Sequence, residues 1–146
     1  RVLERQAVRD GGGMNHRYNL SDQVLIKDNH IAAVGSIEKA VEMVRKSVGK
    51  TMKIEVEVET KEEFLEALGT SADIIMLDNM NNELMKELVE INNHSKKIEA
   101  SGNMELKRVR SVALLGVDYI SVGALTHSYK SLDISLKFYK NFPRSK

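Results

Sequence analysis

IEVEVETKEEFLEALGTSADIIMLD, residues 54–78, holds two periodicities and the joint between them. Ile54, Val56 and Val58 alternate with Glu55, Glu57 and Glu59, the period of a β-strand. Thr60 with Glu63 three residues later is a capping box. Phe64, Leu65 and Leu68 then form the buried side of a short helix that stops at Gly69. Ile74, Ile75, Met76 and Leu77 make a wholly apolar strand closing on Asp78. A strand, a helix and an apolar strand in such close succession describe a parallel sheet covered by helices.

The alternation extends in both directions. Upstream, Val24, Leu25, Ile26 and Lys27 form a strand ending in a cation. Ser36 is placed to cap a helix whose apolar face is Ile37, Ala40, Val41, Val44 and Val48, with Gly49 as its stop. Downstream come a helix through Leu84, Leu88 and Ile91, a strand from residue 98 to 100 closing on Ser101-Gly102, and a helix through Leu106, Val109, Val112 and Ala113 ended by Gly116. Tyr119 to Val122 is a strand closing on Gly123, and Leu132, Ile134, Leu136 and Phe138 predict a last, alternating strand. Lys27, Glu57, Asp78, Ser101 and Gly123 close successive strands 30, 21, 23 and 22 residues apart, the length of a tight βα unit. The choice lies between an open doubly wound sheet and an α/β barrel. A complete eight-unit barrel needs ~250 residues, so residues 1–146 read as one domain, a partial α/β (TIM-like) barrel of parallel strands lacking its early segment.

Composition narrows the function. Hydrophobic residues are 42% and charged residues 29% of the chain. Basic and acidic residues, 22 and 21, leave a net charge of +1, without the basic excess of a dedicated nucleic-acid binder. Cysteine is absent, which excludes disulfides, thiolate metal sites and a cysteine nucleophile. No apolar run approaches the ~20 residues of a membrane span, and a cytoplasmic location is the expectation. The chain begins at Arg1 rather than Met, so an upstream segment is expected.

In either parallel fold the site lies at the carboxyl ends of the strands, which makes Lys27, Glu57, Asp78, Ser101 and Gly123 the candidate site. The types are complementary: a cation, two acids and two small turns. Inside a helix-covered sheet Glu55, Glu57 and Glu59 have no wet face and point into a barrel mouth, where buried carboxylates need cations, a metal or hydroxyl partners. With Asp78 on the next strand, one of these acids suits Mg²⁺ or ribose hydroxyls. Ser101-Gly102 and Gly123-Ala124 suit a phosphate, since glycine lets backbone N–H groups approach an anion. His16, Arg17 and Lys27 suit an acidic substrate. Gly11-Gly12-Gly13 lacks dinucleotide spacing and reads as a flexible turn. His30 and His94 read as surface residues, His127 as a neighbour of the phosphate turn, and the 7 methionines mostly as core filler.

Six linked motifs carry a family resemblance. They are residues 11–17 (GGGMNHR), 25–30 (LIKDNH), 54–58 (IEVEV), 77–79 (LDN), 99–102 (EASG) and 121–128 (SVGALTHS). Together they resemble quinolinate phosphoribosyltransferase, also called nicotinate-nucleotide pyrophosphorylase (carboxylating). The resemblance implies a homodimeric enzyme of NAD biosynthesis that joins quinolinate to phosphoribosyl pyrophosphate and releases pyrophosphate and carbon dioxide. It also implies an α/β barrel preceded by an α/β sandwich domain. By resemblance His16, Arg17 and Lys27 line the quinolinate pocket; Glu57 and Asp78 serve the ribose and Mg²⁺; Ser101, Gly102 and Gly123 hold the 5′-phosphate; and Lys27, Glu57 and Asp78 act in catalysis.

The departures from the family pattern concern the start. Arg1 matches the last residue of the family's Pro-Gly-x-Arg turn, so the substrate-contacting Thr-Arg-Lys-Thr segment and the sandwich domain, which lends an arginine to the partner's site, are absent. The chain is therefore expected to be the C-terminal part of the barrel, inactive and prone to associate when alone. Asn103 stands where many members have a second glycine. Two other readings compete: a paralogous transferase acting on another acid without decarboxylation, and a non-catalytic phosphate-binding module.

Overall fold

The computed structural model describes residues 2–17 and 22–138, so the expected match of Arg1 lies outside the described residues. Five strands, β1 (Val24–Ile26), β2 (Ile54–Val58), β3 (Ile74–Asp78), β4 (Lys97–Ser101) and β5 (Tyr119–Ile120), pair in parallel in the order β1-β2-β3-β4-β5. A doubly wound sheet reverses its strand order at a switch point; this one winds in a single direction, as a barrel does. The helices are α1 (Val2–Asp10), α2 (Asp28–Val34), α3 (Ile37–Val48), α4 (Lys61–Leu68), α5 (Asn82–Asn92), α6 (Leu106–Ala113) and α7 (Ala124–His127).

Register sorts the side chains. The pairs Leu25↔Glu55, Glu55↔Ile74, Glu57↔Met76, Met76↔Glu99 and Asp78↔Ser101 share one face of the sheet. The opposite face carries Ile26, Ile54, Val56, Val58, Ile75, Leu77, Ile98 and Ala100, each at most 2% exposed. Those residues form the core with Ile37 and Val41 of α3, Phe64 of α4, Met85 and Leu88 of α5, and Val112 of α6. The helices thus take the apolar face and leave the other free for a polar layer.

The expected caps form. Ser36 Oγ accepts from Lys39 N–H at 3.2 Å. Thr60 Oγ1 accepts from Glu63 N–H at 3.2 Å while Glu63 Oε2 accepts from Thr60 N–H at 3.2 Å. Four features differ from the sequence reading. The triple glycine is a helix stop: Gly13 N–H donates to Val8 O at 2.9 Å and Gly12 takes φ +82°, closing α1. α2 begins directly after Lys27, where no apolar period announces it; Lys27 N–H donates to His30 Nδ1 at 3.0 Å, and Gly35 at φ +95° ends it. β5 ends at Ile120, although Ser121 N–H still reaches Ala100 O at 2.9 Å. Residues 132–138 form no strand: Leu132, Ile134, Leu136 and Phe138 alternate as expected but are 80–90% exposed, with no neighbouring strand among the described residues. Of the methionines, Met76, Met80, Met85 and Met104 are buried, while Met14 and Met43 are exposed.

The amino ends of the strands share a device that periodicity does not show. The residue just before each of β3, β4 and β5 reaches back to the entry of the preceding strand. Asp73 Oδ2 accepts from Ile54 N–H at 2.9 Å, and Asp118 Oδ2 from Ile98 N–H at 2.9 Å. Lys96 Nζ donates to Thr70 O and Ala72 O, both at 2.8 Å. Arg45 of α3 adds a bond from Nη2 to Asp73 Oδ2 at 2.8 Å. Replacing Asp73 or Asp118 with alanine leaves a buried strand N–H unpaired. Each substitution is expected to cost ~1–3 kcal/mol, with asparagine, which keeps the acceptor, costing less; urea unfolding of the intact polypeptide measures both.

Candidate active site

The polar face is reached by the segment that follows α1. Asn15 Nδ2 donates to Arg5 O at 3.1 Å, and Arg5 Nη1 donates to Arg17 O at 2.9 Å, so α1 holds residues 15–17 across the sheet. His16 then enters between two acids: its Nε2 lies 3.0 Å from Glu55 Oε2 and 3.5 Å from Glu99 Oε1. Glu55 also accepts from Gln23 Nε2 at 2.5 Å, and Glu99 accepts from Ser121 Oγ. Hydrogen bonds to Glu55 and then to Glu99 outweigh burial and push the His16 pKa up to about 10. Glu55 is raised, chiefly by burial and despite His16. Burial also opposes ionisation of Glu99, but His16 and the Ser121 hydroxyl bond its charged form and hold it low. The three groups offer donor atoms within 4.8 Å of one another. A metal would require a neutral imidazole, whereas the two acids favour the protonated ring.

At the carboxyl ends, Lys27 Nζ lies 3.5 Å from Glu57 Oε2. Burial raises the Glu57 pKa, Lys27 opposes the rise, and the charge of Asp78 adds to it. Asp78 is half-buried and accepts from Asn79 Nδ2 at 2.7 Å. Two hard carboxylates on neighbouring strands fit Mg²⁺, which is bound through one or two such groups together with substrate phosphates.

Ser101, Gly102 and Asn103 form a turn locked to the loop after β3. Asn79 N–H donates to Ser101 O at 3.2 Å, and Asn103 Nδ2 donates to Asn79 Oδ1 at 3.0 Å. Arg108 of α6 ties the two loops, donating to Gly102 O at 3.1 Å and to Met80 O at 2.5 Å. Gly102 has φ +82°, and a Cβ there would lie 2.6 Å from Asn79 N. Asn103 has φ +49°, a left-handed conformation that asparagine tolerates. Gly123 differs: its φ is −62°, and a Cβ there would lie 2.9 Å from Nε2 of His127, the far end of an exposed side chain that can shift.

The sheet thus brings His16, Lys27, Glu57, Asp78 and Ser101 to one face. Arg17 is half-buried, and its side chain makes no hydrogen bond or ion pair among the described residues. Sequence reasoning missed the roles of Gln23, Glu99 and Ser121 around His16, and of Asn79 and Arg108 in the turn. Their partners are distant in sequence, so spacing carried no signal.

Residues 1–137 match the family described as quinolinate phosphoribosyl transferase, C-terminal domain. A probable nicotinate-nucleotide pyrophosphorylase (carboxylating) of Bacillus subtilis is 48% identical over 136 residues, covering 93% of this chain and 47% of the relative. A mitochondrial quinolinate phosphoribosyltransferase (decarboxylating) of Nicotiana tabacum is 46% identical over 155 residues, covering 94% and 44%. The crystal structure of NadC from Streptococcus pyogenes superimposes with a TM-score of 0.87 at 46% identity, covering 94% of this chain and 48% of that one. The chain spans about half the length of the curated relatives it matches.

The paired histidine sets a pH dependence. Because the folded pKa of about 10 lies above the ordinary 6.5, the stability from His16 is complete below pH 6.5 and falls as pH rises through about 10. His16→Gln removes that component, so the stability gap between the two proteins is expected to narrow over this window. Urea midpoints at paired pH values measure the gap.

Proposed function

This chain belongs to the quinolinate phosphoribosyltransferase family through its C-terminal domain, and from that membership we propose that the polypeptide it is part of makes nicotinate mononucleotide from quinolinate and phosphoribosyl pyrophosphate. The carrying observation is the polar face of the sheet, where Lys27, Glu57, Asp78 and the Ser101-Gly102 turn follow one another along adjacent strand ends and His16 docks against Glu55 and Glu99 on the same face. The reading includes a homodimer and a cytoplasmic location. No helix among the described residues is long and apolar enough to cross a membrane.

The residue types suit the reaction. His16, Arg17 and Lys27 neutralise the two carboxylates of quinolinate. Lys27, 3.5 Å from Glu57, stands between the acid-binding and ribose-binding groups. The pyridine nitrogen attacks the anomeric carbon, the bond to pyrophosphate breaks, and its electron pair leaves with pyrophosphate. Positive charge grows on the ribose as this happens, and Glu57 and Asp78 stabilise it. Glu57 and Asp78 would hold Mg²⁺, which when bound would supply neutralisation of the pyrophosphate charge. Ser101, Gly102 and Gly123 hold the 5′-phosphate. The new nitrogen–carbon bond makes the ring an electron sink: the C2 carboxylate departs as carbon dioxide, its bonding pair stays on the ring, and a proton takes its place.

Two sets of substitutions in the intact polypeptide test these roles. Arg17→Ala and Lys27→Ala are expected to weaken quinolinate binding by ~2–5 kcal/mol while sparing phosphoribosyl pyrophosphate, as read by calorimetry. Unchanged quinolinate affinity in both would remove these residues from the pocket. Glu57→Gln and Asp78→Asn are expected to lower kcat with quinolinate affinity retained, because they meet charge that develops only in the transition state. Loss of quinolinate binding with normal turnover at saturation would reverse the assignment.

A further inference from the structure

Glu55 and Glu99 have no task in the reaction as described. They lie within β2 and β4 rather than at strand ends, 0% and 3% exposed. Both approach one atom, His16 Nε2, at 3.0 and 3.5 Å. Each accepts a further bond on the oxygen that faces the ring, Glu55 Oε2 from Gln23 at 2.5 Å and Glu99 Oε1 from the Ser121 hydroxyl. Glu55 Oε1 is buried without a hydrogen-bond partner. A buried ionic cluster is a poor source of stability compared with apolar residues of similar volume, and Ile74 and Met76 fill neighbouring positions on the same face. The arrangement is better explained by what it does to the ring.

We propose that Glu55 and Glu99 are positioning residues for His16: they hold its Nε2–H between two carboxylates and so present the opposite nitrogen, Nδ1, as a fixed donor to an anionic group of the substrate. Among the described residues Nδ1 makes no hydrogen bond, and the side chain is 33% exposed. Two carboxylates facing Nε2 favour a proton there. With that proton fixed, only the doubly protonated ring has a donor left at Nδ1. The negative charge of the two acids favours that doubly protonated form, the one that binds an anion, and their position at Nε2 sets the plane of the ring. Taking quinolinate as the anion rests on the function proposed above.

Glu99→Gln in the intact polypeptide keeps the shape of the side chain and removes its charge. The quinolinate Kd is expected to rise about tenfold, from the loss of one charge-assisted contact, with phosphoribosyl pyrophosphate affinity unchanged. In a His16→Ala background the same substitution should change the quinolinate Kd by less than about twofold, because the effect passes through the ring. Glu99→Asp should recover part of the affinity. Ser121→Ala should give a smaller loss in the same direction and stands in if Glu99→Gln fails to fold. Nitrogen-15 spectra of the His16 ring should lose the imidazolium pattern in Glu99→Gln. Equal losses with and without His16, or an unchanged ring pattern, would overturn the proposal. A wild-type polypeptide that binds no quinolinate, yet shows the expected ring change, would overturn the proposed function and leave the positioning role standing.

Discussion

A carboxylate denied all contact with water has to meet a cation or give up its charge. Glu55 is in that position, and His16 is the cation it meets. Much of the chain's arrangement answers this requirement. The helices pack on one face of the sheet, so the other can hold a polar layer. α1 has no buried residue, so hydrophobic packing does not place it. Polar links do so instead: Arg5 to the carbonyl of Arg17, Asn15 to the carbonyl of Arg5, and His16 to the acid pair. Removing one partner of a buried ionic cluster typically costs ~3–5 kcal/mol, because the other charge is left buried and unpaired, so undocking the segment would strand the acid pair.

Most of the sheet was legible in the sequence because strand and helix periods there are clean and the caps are local. Ser36 and Thr60 find partners three residues away, within the reach of sequence reading. The helix α2 was not legible, since its start depends on a histidine ring accepting the N–H of Lys27. The alternation at Leu132, Ile134, Leu136 and Phe138 was legible as a pattern, but a pattern does not supply a neighbouring strand. In the site, strand ends identified Lys27, Glu57, Asp78 and Ser101, because chain geometry alone puts such residues at the mouth. Glu55 was singled out as an acid needing a partner, while the partner itself, 39 residues away, was beyond any local rule.

The glycine turn shows the same division. The glycines at 102 and at 123 are visible in sequence, but the demands on them differ. Gly102 requires both its left-handed backbone and the absence of a side chain against Asn79, whereas a side chain at 123 would only have to displace the exposed ring of His127. Asn103 and Asn79 share the left-handed conformation and bond to each other, so a turn that glycines would leave loose is braced by two amides.

The back-reaching contacts at the strand entries have a kinetic consequence. They span only 19 to 26 residues, and every strand pairs with the next one along the chain. Such short separations lower the entropy of closing each loop, so the sheet can grow by adding one unit to the last. The contact between His16 and Glu99 spans 83 residues and joins the segment before β1 to β4, the fourth strand of the sheet. Its loop closure is the costliest of these contacts, which makes the charged layer a late event in folding: the scaffold assembles first, and the anion-binding ring is set when the N-terminal hook docks.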